Sequence, residues 1–151
     1  MGNRAVITKV NNDNPNYEYA NGDQVGIYLH WNGGYDSVNA FLTYCKLKGF
    51  RGVETDESYA WARLTQVIAN FFGGGLSVGI DILKHLDCDN YDNGVYLIND
   101  KWEIVDRRYY EGEEQDEYDL LEMLTEIDSR QPTSEQLGAE QIKQALNKDG
   151  E

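Results

Sequence analysis

The residues with the clearest chemical potential form one six-residue turn, Asn32-Gly33-Gly34-Tyr35-Asp36-Ser37. It follows an apolar run at 25–31 and precedes a helical pattern, which makes it a strand–turn–helix junction. Two glycines let a backbone approach an anion closely, and open N–H groups at a helix start point toward it. Arg4, His30, Trp31, Tyr59 and Arg63 supply guanidinium groups and rings of the kind that stack on a base and pair with a phosphate. A plainer explanation covers the same residues: a glycine turn feeds a helix capped by Asp36, and aromatics at helical spacing are core.

A second candidate is a run of carboxylates. Between residues 111 and 128 there are nine carboxylates and no Lys or Arg. On a helix predicted over about 114–127, Asp116, Asp119, Glu122 and Glu126 recur at three- and four-residue steps. They lie opposite a stripe of Leu120, Met123, Leu124 and Ile127. At a rise of about 1.5 Å per residue such charges stand roughly 4.5–6 Å apart along the axis, on the scale of a phosphate backbone. Most charge runs are solvated helix faces. Unmatched like charges at these steps cost helix stability, however, and a basic partner would offset that cost. With Glu113 and Glu114, these are the residues expected to meet a partner.

Other chemistry is sparse. Taking Asp89 as the first position of a calcium loop puts Tyr91 where an oxygen ligand is required, and Asp100 where a bidentate Glu belongs. An Asp-Asn-Gly turn entering a strand explains that stretch, so no metal and no cofactor are expected. Cys45 and Cys88 have no framework spacing and are expected as reduced thiols. With no visible nucleophile and base set, the expectation is a protein without catalytic activity.

The elements that must position these residues follow from pattern. A strand is predicted at 4–10 and another at 25–31, then a helix at 37–48 with Val38, Phe41, Leu42 and Cys45 inward. A second helix starts at Thr55 or Asp56, buries Trp61, Leu64, Ile68 and Phe71, and stops at the glycines 73–75. A strand at 76–82, a hairpin of 95–98 and 102–105, and the acidic helix complete the order β-β-α-α-β-β-β-α. Short links between strands predict an α+β fold: an antiparallel sheet of about four to five strands with two to three helices on one face. The expectation is a single two-layer domain over 1–128, with 129–151 a tail or a short helix.

Composition bounds the function. At 151 residues, 40% hydrophobic and 12% aromatic, one folded domain is expected. The net charge is −14, and it is uneven: residues 1–50 balance four basic against four acidic side chains, whereas residues 101–151 set six against fifteen. Such a surface repels phosphate backbones, so direct nucleic-acid binding is not expected and a basic protein partner is. No apolar run approaches bilayer length and no signal core opens the chain, so the host cytoplasm is the expected compartment and no membrane partner is expected.

Four blocks carry a resemblance: MGNRAVIT at 1–8, GIYLHWNGGYDSV at 26–38, AWARLTQVIANFFGG at 60–74 and DNYDNGVY at 89–96. The chain resembles a family of short proteins carried by phages and mobile elements of Gram-positive bacteria, a setting in which small proteins often counter host defence. The turn at 32–37 also resembles the Ser-Gly-Gly-x-Asp-Ser loop of the PP-loop ATP pyrophosphatases, with Asn32 in place of Ser and without their βαβ frame. Charge and resemblance lead to a non-enzymatic counter-defence protein. Its acidic surface would occupy the nucleic-acid site of a defence nuclease, as anti-CRISPR or anti-restriction inhibitors do. The alternative is a sponge for a nucleotide messenger, using Arg4, His30, Trp31, Asn32, Gly33, Gly34, Asp36, Ser37, Tyr59 and Arg63; a phosphate-handling enzyme comes third.

Overall fold

Short runs of alternating β-branched residues make five strands, and two long apolar stripes make the helices that cover them. The computed structural model describes residues 2–10, 23–74, 77–110 and 118–149. In chain order these contain β1 (Ala5–Lys9), β2 (Val25–Leu29), α1 (Tyr35–Leu47), α2 (Glu57–Phe72), β3 (Val78–Ile82), β4 (Val95–Ile98), β5 (Ile104–Arg108), α3 (Leu120–Ser129) and α4 (Ala139–Asp149). The α+β class is as expected, with four α-helices among the described residues rather than two to three.

The sheet runs β3-β2-β1-β4-β5 and is mixed rather than antiparallel. β1 and β4 lie parallel, with Val6 opposite Val95 and Lys9 opposite Ile98, while the other three pairs are antiparallel. The reason is connection length. Between β1 and β4 the chain makes β2, both long helices and β3, enough for the crossover that a parallel pair requires. Reading only the links between consecutive strands misses this, because β4 pairs with β1 and not with β3.

Strand alternation divides the sheet into two faces. Ala5, Ile7, Ile27, Leu29, Tyr96 and Ile98 join the main core with α1, α2 and α3. Val6, Val95 and Leu97 face the other way and are covered by Leu83, Leu86 and Cys88 from the segment after β3. Gly26 permits this cover: a Cβ there would lie 2.7 Å from Leu83 Cδ2.

Helix ends follow local chemistry, with two corrections. Asp56 caps α2 by accepting from the Tyr59 N–H, and Gly73 ends it in the left-handed conformation, φ 76°. Asp36 does not cap α1, whose N-cap is Gly34 with no side-chain cap. It sits inside the first turn, where a carboxylate suits the helix dipole, and accepts from the Tyr118 N–H at 3.1 Å. α3 starts at Leu120, capped by Asp119, not near residue 114. The partner strand of the hairpin starts at Ile104, because Trp102 stands at φ 62° and sends its indole N–H to the Phe50 carbonyl. Beyond residue 128 the chain continues as a 3-10 turn at Thr133–Glu135 and then α4, which packs on α3 and buries Ile142 in the main core.

Candidate functional site

The glycine turn lies at the end of the sheet where β1 and β4 begin and β2 and β5 finish. Asn32 takes φ 57°, and its side-chain amide donates to Ser37 Oγ at 3.2 Å. Gly33 donates its N–H to the Asn3 carbonyl (2.8 Å), and its own carbonyl accepts from the Tyr96 hydroxyl (2.7 Å). A Cβ on Gly33 would lie 2.4 Å from the Asn3 oxygen. The glycine thus serves close approach of the turn to β1. An anion at this turn would have to use the first-turn amides of α1, beside the Asp36 carboxylate.

Of the other residues of the ligand reading, Arg4, His30 and Trp31 lie beside the turn, whereas Tyr59 and Arg63 do not. Arg4 is held by Asp92, with Nε 2.8 Å from Oδ2, and more loosely by Asp87 at 3.5 Å. The hydrogen bond that Arg4 donates to Asp92 raises the Arg4 pKa above its ordinary value. His30 Nδ1 lies 3.0 Å from the Tyr28 hydroxyl, and its ring packs edge-on to Trp31 at 5.3 Å. Burial raises the Tyr28 pKa. Tyr59 and Arg63 stand near the start of α2, beyond the other end of β1, where Lys9 pairs with Glu57. There the Tyr59 ring lies under both the Arg51 and Arg63 guanidinium groups, at 4.3 and 5.1 Å.

Of the acidic candidates, Glu113, Glu114 and Asp116 fall outside the described residues. Asp119 is exposed and accepts from the Glu122 N–H as the cap of α3. Glu122 and Glu126 point to solvent, opposite the buried Met123, Leu124 and Ile127. Glu126 pairs with Arg130 one turn on, at 3.0 Å. Among the described residues no group of three His, Cys, Asp or Glu side chains is placed to hold a metal. Both cysteines are buried and free. Burial pushes the Cys45 thiol far up and the Cys88 thiol to about 11, so neither is a ready nucleophile.

Sequence reasoning treated the turn and the acidic run as two surfaces. The Asp36–Tyr118 contact puts Tyr118, just before the cap of α3, at the turn's end of the molecule. Tyr110 and Tyr118, which flank the acidic segment 111–117, both lie there, with Arg107 stacked 3.5 Å from the Tyr110 ring. Sequence reasoning also missed the groups that hold the turn: Asn93, whose amide donates to Asn3 Oδ1 and the Arg4 carbonyl, and Arg107, which donates to the Tyr96 hydroxyl. Asn and Tyr in turns carry no signal for such long-range partners. In comparisons with family models, curated proteins and solved structures, nothing matches this chain.

Proposed function

We propose that this protein acts by binding a basic protein surface rather than by catalysis, and that the partner is the nucleic-acid-binding channel of a host defence nuclease. One observation carries this. The outward face of α3 presents Glu122 and Glu126 directly after a segment, 111–117, with five carboxylates and no cation. Arg130, at the C-terminal end of that helix, pairs with Glu126 and leaves Glu122 without a cation one turn away on the helix itself. A nuclease channel built to attract phosphates offers the complementary field. The phage-like wording of the sequence blocks supports the biological setting. No helix among the described residues is long and apolar enough to cross a membrane.

The test is binding to purified CRISPR effectors and restriction endonucleases at low and raised salt. Glu122→Lys combined with Glu126→Lys should weaken binding about tenfold or more and flatten its salt dependence. Asp119 is unsuited to charge reversal because it caps α3. Binding that ignores both salt and these substitutions would remove the electrostatic basis of the proposal. The messenger-sponge alternative would show instead as a thermal shift with cyclic nucleotides and none with nucleases.

A further inference from the structure

The two edge strands of the sheet are finished differently. β5 pairs with β4 through a register shift at Leu97/Ile98 and carries Asp106, Arg107 and Arg108 in succession. A bulge and a row of charges are devices that keep another strand from adding. β3 instead keeps an unbroken register with β2 along its whole length, contains no proline, and has Asp81 as its single charged residue. Its Ile80 side chain is 52% exposed.

The phase of the hydrogen bonds fixes which backbone groups of β3 face outward. His30 donates to the Ser77 carbonyl and Leu83 to the Gln24 carbonyl. With the β2–β3 register, this makes Gly79 and Asp81 the residues bonded to β2. The N–H and C=O groups of Val78, Ile80 and Ile82 therefore turn away from the sheet. Asp81 agrees with that phase: its carboxylate accepts the Ile82 N–H at 2.7 Å and lies 3.2 Å from His85 Nδ1. The outward groups of Val78 and Ile80 have no hydrogen-bond partner among the described residues.

We infer that β3 is the contact between two copies of this chain, paired antiparallel about a two-fold axis at Gly79 into one continuous sheet. Charge and register select this arrangement. A two-fold axis at Asp81 would set two carboxylates face to face, which is destabilising. An axis at Ile80 would call on the Ile82 N–H, which Asp81 already holds. An axis at Gly79 uses only the outward groups of Val78 in one copy and Ile80 in the other, and it places Asp81 opposite Ser77 of the second copy rather than a carboxylate. On the face that carries Ile27 and the main core, the exposed Ile80 then meets Val78 of the second copy and leaves water. The inference goes beyond the nuclease reading and does not rest on it.

The test is sedimentation of the full chain over a range of concentrations at low and raised salt. The parent should show a monomer–dimer equilibrium that tightens as salt screens the repulsion between two chains of net charge −14, the opposite sense to nuclease binding. Ile80→Lys and, separately, Gly79→Asp should each weaken dimerisation about tenfold or more. Gly79→Asp sets two carboxylates against each other at the axis, while a Cβ there meets nothing within 4 Å in the single chain. Its circular dichroism should therefore match the parent. Val105→Lys, on β5, should dimerise like the parent. A parent that stays monomeric at the highest concentration in raised salt, or a dimer that survives both β3 substitutions, would overturn the inference whatever the nucleases show. A dimer dissolved by Val105→Lys alone would move the contact to β5 and overturn it equally.

Discussion

The carboxylate of Asp128, 4% exposed, takes three donors: the Tyr44 hydroxyl at 2.5 Å and the N–H groups of Leu137 (2.7 Å) and Gly138 (2.9 Å). Burial, then the bond to Asp128, pushes the Tyr44 hydroxyl far above its ordinary pKa, so it stays a donor. Asp128→Ala should cost about 3 kcal/mol, because three buried or half-buried donors lose a charged acceptor. Urea denaturation would measure the loss, and hydrogen exchange should show α4 deprotected first. Asp100 makes a second clamp, accepting from the Glu54 and Thr55 N–H groups and the Thr55 hydroxyl. The Thr55 hydroxyl bond leads in holding its pKa below the ordinary value, against the opposing pull of desolvation. Its contribution is therefore full above the unfolded pKa of about 3.9 and fades as pH falls through the lower folded value. The stability gap between parent and Asp100→Asn should be constant from pH 7 to 5 and close below about pH 4. Neither clamp is legible in sequence. Asp128 reads as one more charge in an acidic run, and its donors Leu137 and Gly138 lie in a segment with no periodic signal.

At the scale of elements, α1 and α2 were legible because their apolar residues recur at helical steps over three or more turns, with Asp56 and Gly73 at the ends of α2. The parallel β1–β4 pair was not, since no local pattern records which distant strand fills a sheet position. The start of α3 was misplaced for a related reason: a long acidic run continues the helical charge pattern, but Asp119 supplies a cap inside it. The turn at 32–37 was legible as a turn, and its partners Asn3, Asn93 and Tyr96 were not. Those partners give a prediction. Gly33→Ala should lower stability by about 1–3 kcal/mol through overpacking against β1, whereas Gly79→Ala, where a Cβ meets nothing within 4 Å, should be nearly neutral. Thermal melting of the two variants side by side checks it. α4 belongs to the same core: Ile142, fully buried, should cost about 2–5 kcal/mol as Ile142→Ala.

Across the whole molecule, exposed aromatic side chains gather at the end of the sheet that holds the glycine turn, with Trp31, Tyr35, Tyr91, Tyr109 and Tyr118 all there. The N-terminal third is neutral by count and holds the glycine turn, while the C-terminal third sets fifteen acidic against six basic side chains. In sequence these are two surfaces predicting two partners; the fold brings Tyr118, just before α3, to Asp36 beside the turn. The most direct test of binding to a basic nucleic-acid channel is displacement of a fluorescently labelled DNA duplex from a purified defence nuclease, followed by anisotropy. The expected result is full displacement at stoichiometric protein, weakening steeply as salt rises. Retention of the duplex in a ternary complex, or displacement indifferent to salt, would contradict it.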